Sequence, residues 1–248
     1  MTRHFPPFFD VLAFDRLAST SDEAKRRARD GAAEGTLVTA ASQTAGRGRQ
    51  GRTWVSEPGN LYASLVLRPQ ATPAQAAQLG FAASLAIGDA CLKFLPKAAL
   101  AFKWPNDVLL GGRKAAGILL ESEAEGSDLR FVVLGLGVNL ASFPATADFP
   151  AISLKAAGAD VAPAAFLEAL APALLVWYER WRSAGFAALR QAWLGRAWGL
   201  NQPLEARLPG ETVKGRFAGL DDDGRLLLDA KSGQRRIAAA DVFPAGAA

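Results

Sequence analysis

Apolar and polar positions along this 248-residue chain fall into blocks whose period changes several times. Val11 to Phe14 alternates as a short strand. Ser19 to Glu23 then opens a helix over about Ser21 to Arg29, with Thr20 as the expected N-cap, Glu23 completing a capping box and Asp30-Gly31 as the stop. Thr36 to Ala41 and Asn60 to Leu67 are β-branched and apolar enough for buried strands. Pro73 to Phe94 carries few charges and reads as one long buried helix, with Pro73 suited to its first turn.

Leu100 to Phe102 and Val108 to Leu110 predict short strands around Lys103, Trp104, Pro105, Asn106 and Asp107. Gly111-Gly112 predicts a type I′ hairpin turn, and Lys114 begins a return strand that continues through Glu121. Phe131 to Leu136 is a fully apolar strand running into Gly135, Gly137 and Asn139. Glycines inside a strand cost stability, so this pair marks either a bulge or a ligand or backbone pressed against that face. Pro163 to about Gly199 is helical, interrupted near Gly185, with Trp177, Trp181, Trp193 and Trp198 spaced for a packed face. From Leu200 to about Val242 the pattern shortens to alternating strands with turns at Pro209-Gly210 and Asp221 to Gly224, as in a small β-barrel.

Between the strands ending at Ala41 and beginning at Asn60 lies the run Gly46, Arg47, Gly48, Arg49, Gln50, Gly51, Arg52. Glycine lets a backbone turn through positive φ and approach a ligand closely, while guanidinium binds carboxylate or phosphate through two parallel hydrogen bonds. The run reads as an anion-wrapping loop anchored at both ends by sheet. Taken alone it is equally compatible with a solvated connector or an RNA-binding segment. Its arginines are expected to repel one another until an anion arrives, which predicts a loop that orders over its ligand.

Composition narrows the chemistry. With 50% hydrophobic residues the chain buries a full core in one or two domains. The single cysteine, Cys91, excludes an internal disulfide and a cysteine-cluster zinc site, and its apolar surroundings suit a buried thiol. His4 is the only histidine and lies near the terminus, which argues against a histidine base or a multi-histidine metal site. Catalysis must then use Lys, Arg, Asp or Glu. The net charge of +4 is too mild to imply nucleic acid and suits anionic small molecules. No apolar run reaches the ~18 residues of a membrane span and no signal peptide opens the chain, so a cytoplasmic address is expected.

Four ordered motifs, Gly46 to Arg52, Lys103-Trp104-Pro105-Asn106-Asp107, Lys114-Ala115-Ala116-Gly117-Ile118-Leu119 and Gly135-Leu136-Gly137-Val138-Asn139, make the sequence strongly resemble the biotin protein ligases along essentially its whole length. The resemblance implies an α/β (α+β) fold. A mixed β-sheet catalytic core of the class II synthetase-like, biotin/lipoate ligase type would occupy residues 1–199, and a small SH3-like β-barrel residues 200–248. It also implies a two-step ligase: biotin's carboxylate attacks the α-phosphate of ATP, with Mg²⁺, to give biotinyl-5′-AMP, and a lysine of a biotin carboxyl carrier protein, as in acetyl-CoA carboxylase, then takes the biotin.

By the family pattern Ser19, Thr20, Ser21 and Gln43 meet the ureido ring, Trp54 forms an aromatic wall, and Gly117, Ile118, Gly135 and Gly137 let the backbone approach it. Gly46, Arg47, Gly48 and Arg49 lie on biotin and the acyl phosphate. Arg52, Lys103, Asn106 and Asn139 look toward the nucleotide, with Arg47, Arg49 and Lys114 shared between both ligands. Lys114, Arg49 and Asp107 are the implied catalytic set, with Asp107 orienting the acceptor amine; no metal ligands are assigned. The family commonly has asparagine where Ser21 stands. The first biotin motif begins at Ser19, which leaves no room for a repressor's helix-turn-helix, so no DNA partner is expected. Monomer and homodimer both remain open. The rivals are a lipoate ligase or transferase, which shares the adenylate logic, and a nucleic-acid-binding module, for which the basic and aromatic residues are too sparse.

Overall fold

The structure is a computed structural model that describes residues 5–126, 128–146 and 149–246; His4 lies outside the described residues. A seven-stranded mixed sheet is built from the first half of the chain, in the order β1-β2-β3-β7-β6-β5-β4. Its strands are β1 (Asp10–Leu17), β2 (Thr36–Gln43), β3 (Leu61–Leu67), β4 (Leu100–Lys103), β5 (Asp107–Leu110), β6 (Arg113–Glu125) and β7 (Asp128–Val138). Only β1 and β2 pair in parallel, because helix α1 (Thr20–Arg29) forms the crossover between them; the other neighbours are antiparallel. Gly111 and Gly112 both take positive φ, +56° and +74°, so the β5–β6 hairpin turns as the sequence predicts.

Both faces of the central strands are covered, which explains why they read as continuous apolar runs. Val38, Val66, Phe131 and Val133 point to one face and pack on Ala24 and Ala28 of α1. Their neighbours Leu37, Leu65, Leu134 and Leu136 point to the other, under α3 (Leu79–Phe94) and α4 (Pro163–Ala184). Cys91 sits in that second core, and burial pushes its thiol up to about 12, so it is an inert packing group.

Two local expectations are corrected. Ser19, not Thr20, caps α1: its backbone is extended at φ −154°, and its hydroxyl accepts from the Asp22 N–H at 3.3 Å. The Thr20 hydroxyl is drawn away by tertiary partners, and Glu23 pairs instead with Arg26 and Arg27. The helix expected over Pro73 to Phe94 is two, α2 (Pro73–Ala76) and α3. Between them the Gln78 side chain is held by Trp181, which donates to it at 2.9 Å, and by the Asp222 carbonyl. The backbone around Gln78 tightens to bonds spanning three residues.

Gly185, at φ +70°, separates α4 from α5 (Phe186–Leu194). Trp181 and Trp193 are buried as expected, while Trp177 and Trp198 are only half-buried. A five-stranded antiparallel sheet follows, made of β8 (Pro203–Leu208), β9 (Glu211–Leu220), β10 (Leu226–Ala230), β11 (Gly233–Ile237) and β12 (Asp241–Pro244), ordered β11-β10-β9-β8-β12. It shares one core with the rest of the chain: Leu204, Phe217 and Leu226 belong to the same buried cluster as α3. The Trp104 indole also donates to the Gly224 carbonyl at 3.0 Å, which ties the β4–β5 corner to the second sheet and places β12 beside the first.

Candidate active site

The loop after β2, the β4–β5 corner, the β5–β6 hairpin, the end of β7 and the start of β12 enclose one cavity of about 350 Å³. It gathers Ser19, Thr20, Ser21, Gln43, Arg47, Gly48, Arg49, Arg52, Trp54, Lys103, Asn106, Asp107, Lys114, Gly117, Ile118, Gly135, Gly137 and Asn139. Gly46, expected among them, does not line the cavity. It is buried behind the loop, where a Cβ would come within 2.5 Å of both the Ser56 hydroxyl and the Trp54 carbonyl. Its lack of a side chain seats the loop on β2.

The cations are held unevenly. Lys114 is carried past the hairpin turn by its N–H bond to the Pro150 carbonyl at 2.7 Å, and its ammonium lies 2.7 Å from Asp107 Oδ1 and 5.4 Å above the Trp54 ring. Lys103 is only 5% exposed. It lies between the rings of Phe149 and Phe243 at 4.6 and 5.6 Å, with Asp107 Oδ2 at 3.5 Å. Burial lowers its affinity for the proton and the Asp107 charge partly restores it. One carboxylate, Asp107, therefore holds both lysines.

Contrary to the expectation of mutual repulsion, each loop arginine has a partner. Arg47 forms a bidentate pair with Asp22 at 2.6 and 3.0 Å and reaches Glu121 at 3.5 Å. Lys25 sits on the same two carboxylates, at 3.1 and 2.9 Å. For Asp22, burial alone would raise the pKa, but Arg47 and Lys25 together outweigh it and hold the carboxyl below its usual range. Arg49 donates to Asn106 Oδ1 at 3.2 Å and to the Ala240 carbonyl at 3.5 Å. Arg52 pairs with Asp241. The loop rests in these contacts, with one 3₁₀ turn at Arg49–Gly51. An incoming anion must exchange with the carboxylates that hold Arg47 and Arg52.

Asn106 and Asn139, expected near nucleotide or metal water, donate from their side-chain amides to backbone carbonyls. Asn106 donates to the Ile118 carbonyl at 2.8 Å, and Asn139 to the carbonyls of Lys114 and Ile152 at 3.3 and 3.2 Å. They fix the strands that carry Lys114. Among the described residues no group of acidic, histidine or cysteine side chains could cage a metal ion. The cavity's two carboxylates, Asp107 and Asp241, are already engaged by cations. The residues present do not fit a resident Mg²⁺; such an ion would arrive on the phosphates of its nucleotide.

The strand glycines serve close approach by side chains. A Cβ on Gly137 would fall 2.5 Å from Trp54 Cε2, and one on Gly117 2.9 Å from Trp54 Cζ3, so the indole lies flat on both. Gly135 instead makes room for the Ser21 hydroxyl, 2.9 Å from its would-be Cβ. Gly137→Ala is therefore expected to push Trp54 into the cavity and, with Trp54 as the biotin wall that the sequence resemblance implies, to weaken biotin binding at least ~10-fold, about 1.4 kcal/mol. Titration of tryptophan fluorescence with biotin checks this, and unchanged affinity would refute the wall assigned to Trp54.

Several lining residues escaped the sequence reading. Asp241 and Phe243 come from β12, far along the chain, and Tyr62 and Phe149 carried no motif. Behind the wall, Ser64 and Ser56 extend the polar set of Thr20 and Gln43. A serine at the centre of the otherwise apolar run Leu61–Leu67 was the one available signal for Ser64.

A mixed sheet that brings a glycine/arginine loop and a hairpin lysine to one cavity, five cations against two carboxylates, suits a protein that holds anionic ligands together. The chain belongs to the biotin protein ligase family. Residues 13–139 match the Biotin/lipoate A/B protein ligase family, and residues 199–243 match the Biotin protein ligase C terminal domain. It is 45% identical to a biotin–[acetyl-CoA-carboxylase] ligase of Paracoccus denitrificans over 93% of this chain and 99% of that one. It is 36% identical to the bifunctional ligase/repressor BirA of Bacillus subtilis, over 94% of this chain and 73% of the relative. The fold matches that of the Aquifex aeolicus biotin protein ligase in complex with biotin and ATP, with a TM-score of 0.80 at 22% identity, covering 95% of this chain and 99% of the other. The lipoate alternative is not favoured, since the C-terminal match and these named relatives are all of the biotin type.

Proposed function

We propose that this chain activates biotin with ATP to biotinyl-5′-AMP and transfers the biotin to a lysine of a biotin carboxyl carrier protein, residues 1–199 forming the catalytic domain and 200–248 the small β domain. The observation that carries the reading is the convergence of Arg47, Arg49, Arg52, Lys103 and Lys114 on one cavity that is also lined by the neutral polar set Thr20, Ser21 and Gln43. The cations suit a carboxylate meeting a triphosphate, and the neutral wall suits an uncharged bicyclic head.

In the first step a biotin carboxylate oxygen attacks the α-phosphorus, the bond to the bridging oxygen breaks, and pyrophosphate leaves. Two unit charges about 4 Å apart repel by about 4 kcal/mol at an effective dielectric near 20, so fixed cations are needed before the anions can meet. Lys114, beside Asp107 and over the Trp54 ring, stabilises the charge that builds on the α-phosphate. In the second step the acceptor amine attacks the acyl carbon, AMP leaves, and a proton is released to solvent. Asp107, bound to two ammonium groups, orients charge in this step rather than acting as a strong base. Mg²⁺ would accompany the triphosphate.

Arg49 joins the loop to Asn106 and to the chain beside β12, which makes it the natural clasp over the adenylate. Arg49→Gly should release biotinyl-5′-AMP on the order of 10- to 100-fold faster, the loss of one charge-assisted contact of about 1.5–3 kcal/mol. Filter retention of labelled adenylate, with biotin appearing on bystander amines, measures this; an unchanged release rate would refute the clasp.

Incubation with ATP, Mg²⁺, biotin and a carrier domain, followed by mass spectrometry of the carrier, tests the whole reading. One added biotin per carrier is expected, and an unmodified carrier would contradict it. A described helix long and apolar enough to cross a membrane is absent. The expected cytoplasmic address is carried forward as part of this proposal.

A further inference from the structure

Ser64 is fully buried on β3, contributes nothing to the cavity surface and belongs to none of the recognised motifs, yet it bonds to two residues that do line the cavity. The Thr20 backbone N–H lies 2.8 Å from the Gln43 side-chain oxygen. A backbone N–H can only donate, so the Gln43 atom facing Thr20 must be Oε1 and not the amide nitrogen. From that one constraint the direction of every proton along this wall follows.

The Thr20 hydroxyl, 3.1 Å from the same oxygen, must donate to it. Its Oγ1 is then free only to accept, and Ser64, at 2.8 Å, must be the donor. With its proton committed to Thr20, Ser64 can only accept from Ser21, at 3.1 Å. On the other side Gln43 Nε2 donates to Ser56 at 2.9 Å, and Ser56 donates to the Trp54 carbonyl at 2.8 Å. The wall therefore has a fixed polarity: Thr20 and Ser21 offer only lone pairs to a ligand, and Gln43 keeps one amide hydrogen. That leftover set complements a cyclic urea, which brings N–H donors and a carbonyl acceptor.

We infer that Ser64 is a positioning residue for substrate specificity: by drawing the proton of Ser21 it keeps that hydroxyl oxygen an obligate acceptor, beside the Thr20 oxygen whose proton Gln43 already holds. This inference rests on the ligase reading above. Without Ser64 the Ser21 hydroxyl is free to rotate and donate, so the wall stops rejecting ligands that place an acceptor there. Sites that leave buried polar groups unpaired discriminate strongly, whereas sites whose hydroxyls can turn do not.

The test compares biotin with its cyclic carbamate analogue, in which a ureido N–H is replaced by oxygen, in substrate-dependent exchange of pyrophosphate into ATP. Both positional isomers are used. For the wild type, kcat/KM should favour biotin over the poorer isomer by at least ~100-fold. In Ser64→Ala that ratio should fall at least ~10-fold, through a higher KM for biotin and a lower one for the carbamate, with kcat little changed. A wild-type ratio below ~10 would overturn the inference even if the variant fails to fold. So would a Ser64→Ala enzyme that loses the same factor on both substrates, which is the mark of a merely structural serine. Absence of exchange with biotin itself is the separate result that removes the ligase reading and this inference together.

Discussion

Lys114→Ala should lower biotin-dependent pyrophosphate exchange by about 1000-fold, the scale seen when a transition-state electrostatic donor is removed from a preorganised site. The geometry motivates both the size and the selectivity of the effect. The ammonium is held 2.7 Å from Asp107 and 5.4 Å above the Trp54 ring, on a hairpin fixed by backbone bonds to Pro150 and Ile152. A cation placed so rigidly needs little reorganisation when charge develops beside it. The loss should therefore fall on kcat, with a smaller change in the KM for biotin. Folding should survive, because Asp107 keeps Lys103 as its partner. Steady-state exchange alongside thermal unfolding measures both; a loss of less than ~10-fold in exchange would contradict the assignment of Lys114.

Asp107→Asn is expected to do the opposite, acting on stability as much as on rate. This buried carboxylate is the shared counter-charge of Lys103, itself only 5% exposed, and Lys114. Removing one partner of a buried pair leaves uncompensated charge and costs about 3–5 kcal/mol. In a chain of this size that corresponds to a fall in Tm on the order of 10 °C. Raising the pH should recover part of the lost stability, since burial already lowers the proton affinity of Lys103 and loss of Asp107 lowers it further. The sign follows from linkage: the depressed folded pKa disfavours the folded state below it, and the penalty shrinks as the pH rises through it. Calorimetry across alkaline pH tests this, and an unchanged Tm would show that the pair contributes no net stability.

Much of the fold was legible because it depends on local pattern. Continuous apolar runs became strands covered on both faces, and Gly111-Gly112 closed the hairpin as its residues demand. The site's motifs were legible for a related reason: glycines and cations adjacent in sequence stay adjacent in space. What could not be read was set by distant partners. Ser19 and Thr20 are equally good caps in isolation, and only Gln43 and Ser64 decide that Thr20 turns inward. The split at Gln78 comes from Trp181, which lies on another helix.

The arginine loop shows the same limit. Mutual repulsion was a sound inference from seven residues alone, but Asp22 and Asp241 bring counter-charges from opposite ends of the chain. Phe243 likewise reaches Lys103 only because the second sheet docks through Trp104. The glycine pair in β7 reads as a bulge or as a ligand or backbone pressed close, whereas the structure packs side chains there, an indole at Gly137 and a hydroxyl at Gly135, which only tertiary structure decides.

The central claim is that Arg47 and Arg52 leave their carboxylate partners and join Arg49 and Lys114 in neutralising two anions at once. A crystal structure of this chain with biotinyl-5′-AMP tests it most directly. The account predicts Lys114 Nζ and the Arg49 guanidinium within hydrogen-bonding distance of the phosphate, with Arg47 moved off Asp22 onto the ligand. Arg47 still paired with Asp22, and Lys114 still bound to Asp107 alone with the phosphate elsewhere, would contradict it.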